Sequence, residues 1–340
     1  MRTVGRRLGV VIFAGLAALA SLPAQAATTL AVAYIPIMPM AQLFVIEHEG
    51  WAKAAGLDLQ LTKFSSGPAI VQAAASGRYD VMYFGIGPAL VARANGFPIK
   101  VVAANVVEQI ALIGQGALAK EAATAKSGAD AIRRFTADQH RKPRIATLPK
   151  GSVPDLVLRY WLTKIAGLPI DAVDILGMGE DRVQQTLLSR SVDAASILEP
   201  IVTIVRERMP DARIIVAGSG MFPNQPGAVV AVSEKALAEK HAAVVSLIAL
   251  HIRATNLLHD DPKRAAQDVY AFLGKGLVPL ATIEAALGSP ISHFVSDPRP
   301  IIAASKEMRD FSMAIGTLAK PVAIDQLFDT AVYQQALQQK

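Results

Sequence analysis

Short apolar strands that end in Gly, Ser or Pro and lead straight into helices constrain this chain more than any other feature. Residues 30–34 (LAVAY) read as a strand, closed by Pro36 and Pro39. A helix over 40–54 follows, ended by Gly56, and 57–64 alternate as a second strand. Ser65-Ser66-Gly67-Pro68 turns into a helix over 69–76, Gly77 stops it, and 79–84 form a third strand. Gly85-Ile86-Gly87-Pro88 turns into a helix over 89–95, stopped at Gly96, before a fourth strand over 99–107. Such alternation with short loops predicts an α/β unit with a mostly parallel sheet.

The same grammar restarts after a polar segment, 119–142, that reads as surface helix and connection. Residues 143–148 (PRIATL) are a strand, and Lys150-Gly151-Ser152-Val153-Pro154 turns into a helix over 155–166. Strand 173–176 leads through Gly177-Met178-Gly179-Glu180-Asp181 into a helix over 182–189. Strand 192–198 leads through Glu199-Pro200 into a helix ending near Arg208, and 213–217 is a further strand. From Glu234 onward Ala- and Leu-rich helices dominate. Two α/β units related in plan, followed by a helical tail, are the expected organisation.

Ligands of open α/β sheets sit outside the carboxyl ends of the strands. Here those ends carry Pro36 to Met40, Ser65 to Pro68, Gly85 to Pro88, Gly151 to Pro154, Met178 to Asp181, and Glu199-Pro200. Several are helix starts with small residues, where unpaired N–H groups and the positive dipole end point outward. Several such ends facing one cleft make an anion site without arginine. Each loop also has a structural explanation: Ser65, Ser66 and Ser152 as N-caps worth about 1 kcal/mol each, the prolines as helix starters, Asp181 as an N-cap, Glu180 as an acid suited to a helix start. Glu199, an acid at a strand end, is expected to project into the cleft.

Composition narrows the classes. The chain has 340 residues, is 52% hydrophobic and 18% charged, and has no cysteine. It therefore buries a large core, and disulfides, Cys-ligated metals and thiol nucleophiles are excluded. Arg2, Arg6 and Arg7, an apolar run over 8–22 and Ala24-Gln25-Ala26 read as a signal peptide over 1–26, cut after Ala26. Without those three arginines, 31 basic residues face 28 acidic ones, a net of +3. That is no nucleic-acid footprint. After residue 26 no membrane span is expected; 100–120 comes closest but is interrupted by Asn105, Glu108, Gln109 and Gln115. The six histidines show no metal-binding spacing, and no nucleophile elbow, dinucleotide fingerprint or Walker motif is present. No enzyme, cofactor or metal is implied.

Specific residues then carry a resemblance. Residues 63–73 (KFSSGPAIVQA), 76–81 (SGRYDV), Gly85, Pro88-Ala89 and Gly96-Phe97-Pro98-Ile99 resemble the first lobe of periplasmic binding proteins for taurine, aliphatic sulfonates and nitrate, the NMT1/THI5-like group. Pro143-Arg144-Ile145-Ala146, Gly151-Ser152, 191–194 (SVDA), Glu199-Pro200 and 222–233 extend it over nearly all of residues 28–335. The resemblance implies a two-lobed fold of the type II binding-protein kind, each lobe a mostly parallel sheet flanked by helices. Lobe one is expected over 27–110 plus 220–340 and lobe two over 111–219. It implies a periplasmic, monomeric receptor that closes on a small molecule. Its partners are an ABC permease and that importer's ATPase; it touches the membrane only through the permease and binds no nucleic acid.

Candidate ligand contacts are Tyr34, Pro36, Met38, Ser65, Ser66, Gly67, Gly85, Gly87, Asn105, Gly151, Ser152, Val153, Glu180 and Glu199. Carboxylates in the cleft repel a simple sulfonate but suit an aminosulfonate such as taurine, whose ammonium they would hold. The alternative is a neutral heteroaromatic, such as a thiamine-precursor pyrimidine or riboflavin, packed on Tyr34, Met38, Tyr83 or Phe84. A THI5-like enzyme is disfavoured because that chemistry is associated with a cysteine-rich motif, and a cytoplasmic DNA-binding regulator because of the export signal.

Overall fold

The computed structural model describes residues 27–273 and 278–339; the expected signal peptide lies outside them. The first part of the chain builds strands β1 (Thr28–Tyr34), β2 (Leu57–Lys63), β3 (Val81–Gly85), β4 (Ile99–Ala104) and the short β5 (Val106–Val107). The middle builds β6 (Ala111–Gly114), β7 (Arg144–Thr147), β8 (Asp174–Gly177), β9 (Ala194–Ile197) and β10 (Arg213–Ala217). The last part adds β11 (Ala228–Ser233) and β12 (His293–Phe294).

These strands form two five-stranded sheets, ordered β2-β1-β3-β11-β4 and β8-β7-β9-β6-β10, and a small β5–β12 pair. Each large sheet has four strands in one direction and one reversed. The reversed strand is β11 in the first sheet, antiparallel to β3 and β4, and β6 in the second, antiparallel to β9 and β10. In both cases it is the first strand after the chain has crossed between sheets. The fold is therefore a two-lobed α/β architecture in which each sheet completes itself with a strand delivered by a crossover.

The related plan of the two units has an atomic counterpart. The Asp80 amide donates to the Ala31 carbonyl (2.8 Å), and the Ala31 amide donates back to the Asp80 carboxylate (2.9 Å). Asp193 repeats this with Arg144, at 2.9 Å and 2.8 Å. Each aspartate precedes the strand at the middle of its sheet and takes a cation: Lys240 on Asp80 at 2.8 Å, and a bidentate Arg141 on Asp193. Burial pushes the Asp193 carboxyl up, but hydrogen bonds from Arg141 and the Arg144 amide outweigh it and hold the group below its usual range.

Some local expectations shift. The helix expected over 40–54 is broken by Gly50, whose φ of +68° is left-handed; it becomes a 3₁₀ turn Met38–Met40 and helices Ala41–His48 and Trp51–Ala54. The strand expected over 99–107 breaks at Asn105, whose amide donates to Ala228 and whose carbonyl accepts from Val295, both at 2.9 Å. Gly85 to Pro88 is not a free turn: Gly85 ends β3 and caps the helix Ile86–Ala94 directly. One described helix, His241–Asp260, is long and apolar enough to cross a bilayer. Its apolar face is buried in the first lobe instead, with Leu247 and Ile248 fully enclosed.

The two crossovers run side by side. The Glu108 amide donates to Gln225 (2.9 Å), Gly227 to Val106 (3.1 Å) and Gly218 to Ile110 (3.0 Å). A third link comes from the helix Ile302–Ala314, where Glu307 accepts from the Tyr160 hydroxyl while the Tyr160 ring stacks on Phe222 at 4.0 Å.

If the Asp193 clamp organises the second sheet, Asp193→Ala lowers unfolding stability by about 1.5–3 kcal/mol, the range for hydrogen bonds to a charged group. Because the folded-state carboxyl is held below its unfolded value, its contribution is present near neutrality and disappears as pH falls through the acid range. Urea unfolding at neutral and acidic pH checks both: wild type and variant must converge in acid, and parallel curves would refute the assignment.

Candidate ligand-binding cleft

Four helices start at the interface between the lobes. From the first lobe come Gly67–Ala74, capped by Ser66, and Ile86–Ala94, capped by Gly85. From the second come Val153–Tyr160, capped by Ser152, and Glu180–Leu188, capped by Gly179. Pro68, Pro88 and Pro154 sit in three of the first turns, where the missing N–H costs nothing and the fixed φ favours the helix. The remaining first-turn N–H groups have no acceptor within their own helix.

One cavity gathers these starts. Ser65, Ser66, Gly67 and Gly85 line it from the first lobe; Ser152, Val153 and Glu180 line it from the second. Ile37, Met40, Leu148 and Leu198 supply apolar walls, and Gln109 enters from the crossover. Among the described residues no Lys or Arg lines it; Lys150 lines the adjoining space with Gly151. Its volume is about 30 Å³, room for one or two waters, so the lobes stand closed. It continues into a mouth of about 320 Å³, where Pro36 and Ile37 face Glu180, Asp181 and Gln184. At the opposite edge, Gly151 lines a space of about 230 Å³ with Pro68 and Pro88.

The polar groups differ in what they already hold. Ser66 caps its helix, its Oγ accepting from the Ala69 amide at 3.3 Å. Ser152 occupies the same position but makes no side-chain cap; its hydroxyl is buried without a protein partner. Gly151 donates instead to Asp155, at 2.9 Å, which draws that carboxylate away from the cavity. The Gln109 side-chain oxygen is also buried and unpartnered. Burial, and secondarily the Asp181 charge, push the Glu180 carboxyl up to about 8.

Other expected contacts lie elsewhere. Tyr34 turns its ring edge-on to Phe44, 6.0 Å away. Asn105 is buried in the first lobe, donating to the Pro39 carbonyl at 3.0 Å. Tyr83 and Phe84 are fully enclosed in the core. Glu199, joined to Pro200 by a cis peptide, does not project freely into the cleft: its carboxylate accepts from the Thr203 amide at 2.9 Å and closes a minor space with Met38, Pro39 and Gln109. Burial raises the Glu199 carboxyl, partly offset by hydrogen bonds from Ser289 and Thr203. Asp181, expected as an N-cap, lies inside its helix behind Gly179. Gln109 was passed over, although it is one of the few polar residues in an apolar run.

Two glycines let the lobes meet. A Cβ on Gly85 would lie 2.6 Å from Val153, and one on Gly87 would lie 2.7 Å from Leu156 and 3.0 Å from the Gly151 carbonyl. Gly87 is in a helix with ordinary φ, so alanine there suits its own backbone. Gly87→Ala therefore leaves the melting temperature unchanged or slightly higher while propping the cleft open. Small-angle scattering should show a larger radius of gyration, and a variant as closed as wild type would remove the contact from the closing surface.

The raised Glu180 carboxyl makes closure pH-dependent. In a parted cleft the group returns toward its ordinary value of 4.5. The closed form then holds an extra proton between about 4.5 and about 8, so closure weakens as pH rises through that window. An interlobe distance measured by fluorescence transfer should lengthen from about pH 5 to pH 9 in wild type. It should stay flat in Glu180→Gln, and equal slopes would assign the effect to another group.

Comparison with known proteins places this geometry. The sequence profile of the NMT1-like family matches residues 24–273. A protein of Brucella abortus (strain 2308), provisionally named as a binding protein, is 30% identical over 67% of this chain; the match spans 66% of that protein's length. The alkanesulfonate-binding protein SsuA of Xanthomonas axonopodis pv. citri superposes with a TM-score of 0.72 at 19% identity, covering 90% of this chain and 99% of its own. The periplasmic nitrate-binding protein NrtA of Synechocystis PCC 6803 gives 0.75 at 16%, covering 92% and 89%. The cleft thus belongs to a binding-protein fold, and the chain is a member of the NMT1-like family.

Proposed function

We propose that the chain is the exported solute receptor of an ABC importer, working in the periplasm, and that its solute carries a sulfonate-class oxyanion. The reading takes residues 27–110 with 220–340 as one closing unit and 111–219 as the other. The observation that carries it is the Ser152 hydroxyl: buried at a helix start, without a protein partner, and opposite the Ser66 helix start across the same cavity. A buried unpartnered hydroxyl costs about 1–3 kcal/mol, and an oxyanion held there accepts from it and from the first-turn N–H groups around it.

Glu180 narrows the class. It lines both the deep cavity and the mouth. While protonated it donates to an oxyanion; beside an ammonium it ionises and pairs with it. An aminosulfonate such as taurine satisfies both, with its acid at the helix starts and its amine at Glu180. Glu180 takes this role in place of Glu199, whose carboxylate is engaged by the Thr203 amide. The heteroaromatic alternative loses support because Tyr83 and Phe84 are buried in the core and Tyr34 packs on Phe44. The deep cavity leaves room for only one or two waters, so on this reading a solute enters with the lobes parted and is enclosed as they close. Ligand then shifts the population toward closure through contacts that exist only there.

A thermal-shift screen against taurine, alkanesulfonates, nitrate, pyrimidines and riboflavin tests the reading. A ligand at 100 times its Kd adds about 2.7 kcal/mol of stability. Taurine or an alkanesulfonate should raise the melting temperature selectively, and a shift with riboflavin alone would overturn the sulfonate class. Ser152→Ala should weaken binding about tenfold or more without lowering the ligand-free melting temperature. Glu180→Gln should cost taurine far more than an alkanesulfonate of equal length; equal losses would remove the amine contact.

A further inference from the structure

A second cavity, of about 570 Å³, lies in the second lobe and shares no lining residue with the cleft cavities. Its floor is small and aliphatic, with Ala122, Ala212 and Ile214. Three cations enter it from three elements: Lys126 from the connection before the helix Gly128–Gln139, Arg206 from the last turn of the helix Ile201–Arg208, and Arg213 from the start of β10. No carboxylate lines it.

The neighbouring acids are engaged elsewhere. Asp130 pairs with Arg134 (2.8 Å) and accepts from the Lys126 amide (3.0 Å). Glu207 accepts from Thr282 (2.9 Å). Asp211 takes Arg190 (2.6 Å) and the Gly116 amide (3.0 Å). Among the described residues Lys126, Arg206 and Arg213 have no carboxylate within 4.0 Å; other cations of this lobe, such as Arg133 and Arg182, also have none, but these three line one hollow. A helix C-terminus explains one cation at Arg206, and an edge strand explains one at Arg213. Neither explains why three cations without an ion-pair partner line one ligand-sized hollow.

We propose that this groove is a second binding site, for a small multivalent oxyanion of phosphoryl or carboxylate chemistry. One exposed ion pair strengthens binding by at most about fivefold, so a monovalent ion is not retained. Three such contacts to one molecule multiply to roughly a hundredfold. A small anion fits better than an extended acidic peptide, because the register of β10 shifts between Ile214 and Val216 and its free edge offers no regular ladder. The site is independent of the solute reading for the cleft.

The test is calorimetric titration of the purified protein with pyrophosphate, alongside nitrate as a monovalent control. Pyrophosphate should bind at least about tenfold more tightly than nitrate, and more weakly as salt rises. Arg206→Gln with Arg213→Gln should weaken it by about tenfold or more with the melting temperature unchanged, since neither side chain makes a protein ion pair. Ser152→Ala, a cleft substitution, should leave pyrophosphate binding as in wild type. Sedimentation with phosphatidylcholine vesicles, with and without phosphatidylglycerol, separates sources. Binding to the anionic vesicles that pyrophosphate displaces assigns a lipid headgroup, and binding of pyrophosphate without vesicle association assigns a free anion. No pyrophosphate binding, equal binding by the double variant, or loss in Ser152→Ala would each overturn the proposal.

Discussion

The first turn of a helix offers N–H groups that its own backbone cannot satisfy, and in this protein four such turns are brought to one interface. That convergence sets the rest of the architecture. The strands that feed these helices must end at the cleft, so the parallel strands of both lobes point their carboxyl ends toward it. A helix start carries about half a positive charge, so like ends face one another across a narrow gap. Ser66 relieves one by capping its helix; Ser152 leaves its hydroxyl free. Among the described residues no Lys or Arg lines the deep cavity, so the positive ends that face it come from backbone alone. Glu180, the acid at its border, is pushed toward its neutral form by the burial that closure imposes.

Much of this was legible in the sequence because it is local. The runs Ser65-Ser66-Gly67-Pro68 and Gly151-Ser152-Val153-Pro154 announce helix starts by residue chemistry that depends on no distant contact. Short apolar runs between turn residues located eight of the ten strands of the two sheets; β6 and β11 went unassigned. What stayed hidden depends on distant neighbours. Nothing local shows that β6 and β11 complete the two sheets as antiparallel strands, since their pairing and direction are fixed by the path of the crossovers. Asn105 and Gln109 are equally conspicuous as polar residues in an apolar run. Only packing decides that one turns inward to Pro39 and the other reaches the cavity. Glu199 failed as a cleft carboxylate for a similar reason: the Thr203 amide, four residues on, lay within its reach.

The aspartates at 80 and 193 tie each sheet together at its centre. Both bind the edge of a neighbouring strand through a reciprocal pair of hydrogen bonds and are charge-paired as well. The sheets are thus tied internally by charge-assisted bonds and by buried central strands, whereas the lobes are joined by the two crossovers and by the Tyr160 contacts with Phe222 and Glu307. Packed cores resist continuous deformation. On the proposed reading, free energy from a ligand goes into rotation about the crossovers rather than into distortion of either sheet.

The closing surfaces meet at two glycines. Gly85 and Gly87 allow Val153 and Leu156 to approach to a distance that any Cβ would forbid. The apolar side chains that meet there exclude water, which strengthens the hydrogen bonds of whatever the helix starts hold. The same contacts make selectivity steep, because a ligand too large for the enclosed space forfeits them together with the dry environment. On the proposed reading, helix starts and serines attract the oxyanion, the Gly85 and Gly87 contacts limit the size of its substituent, and Glu180 at the mouth faces that substituent's charge.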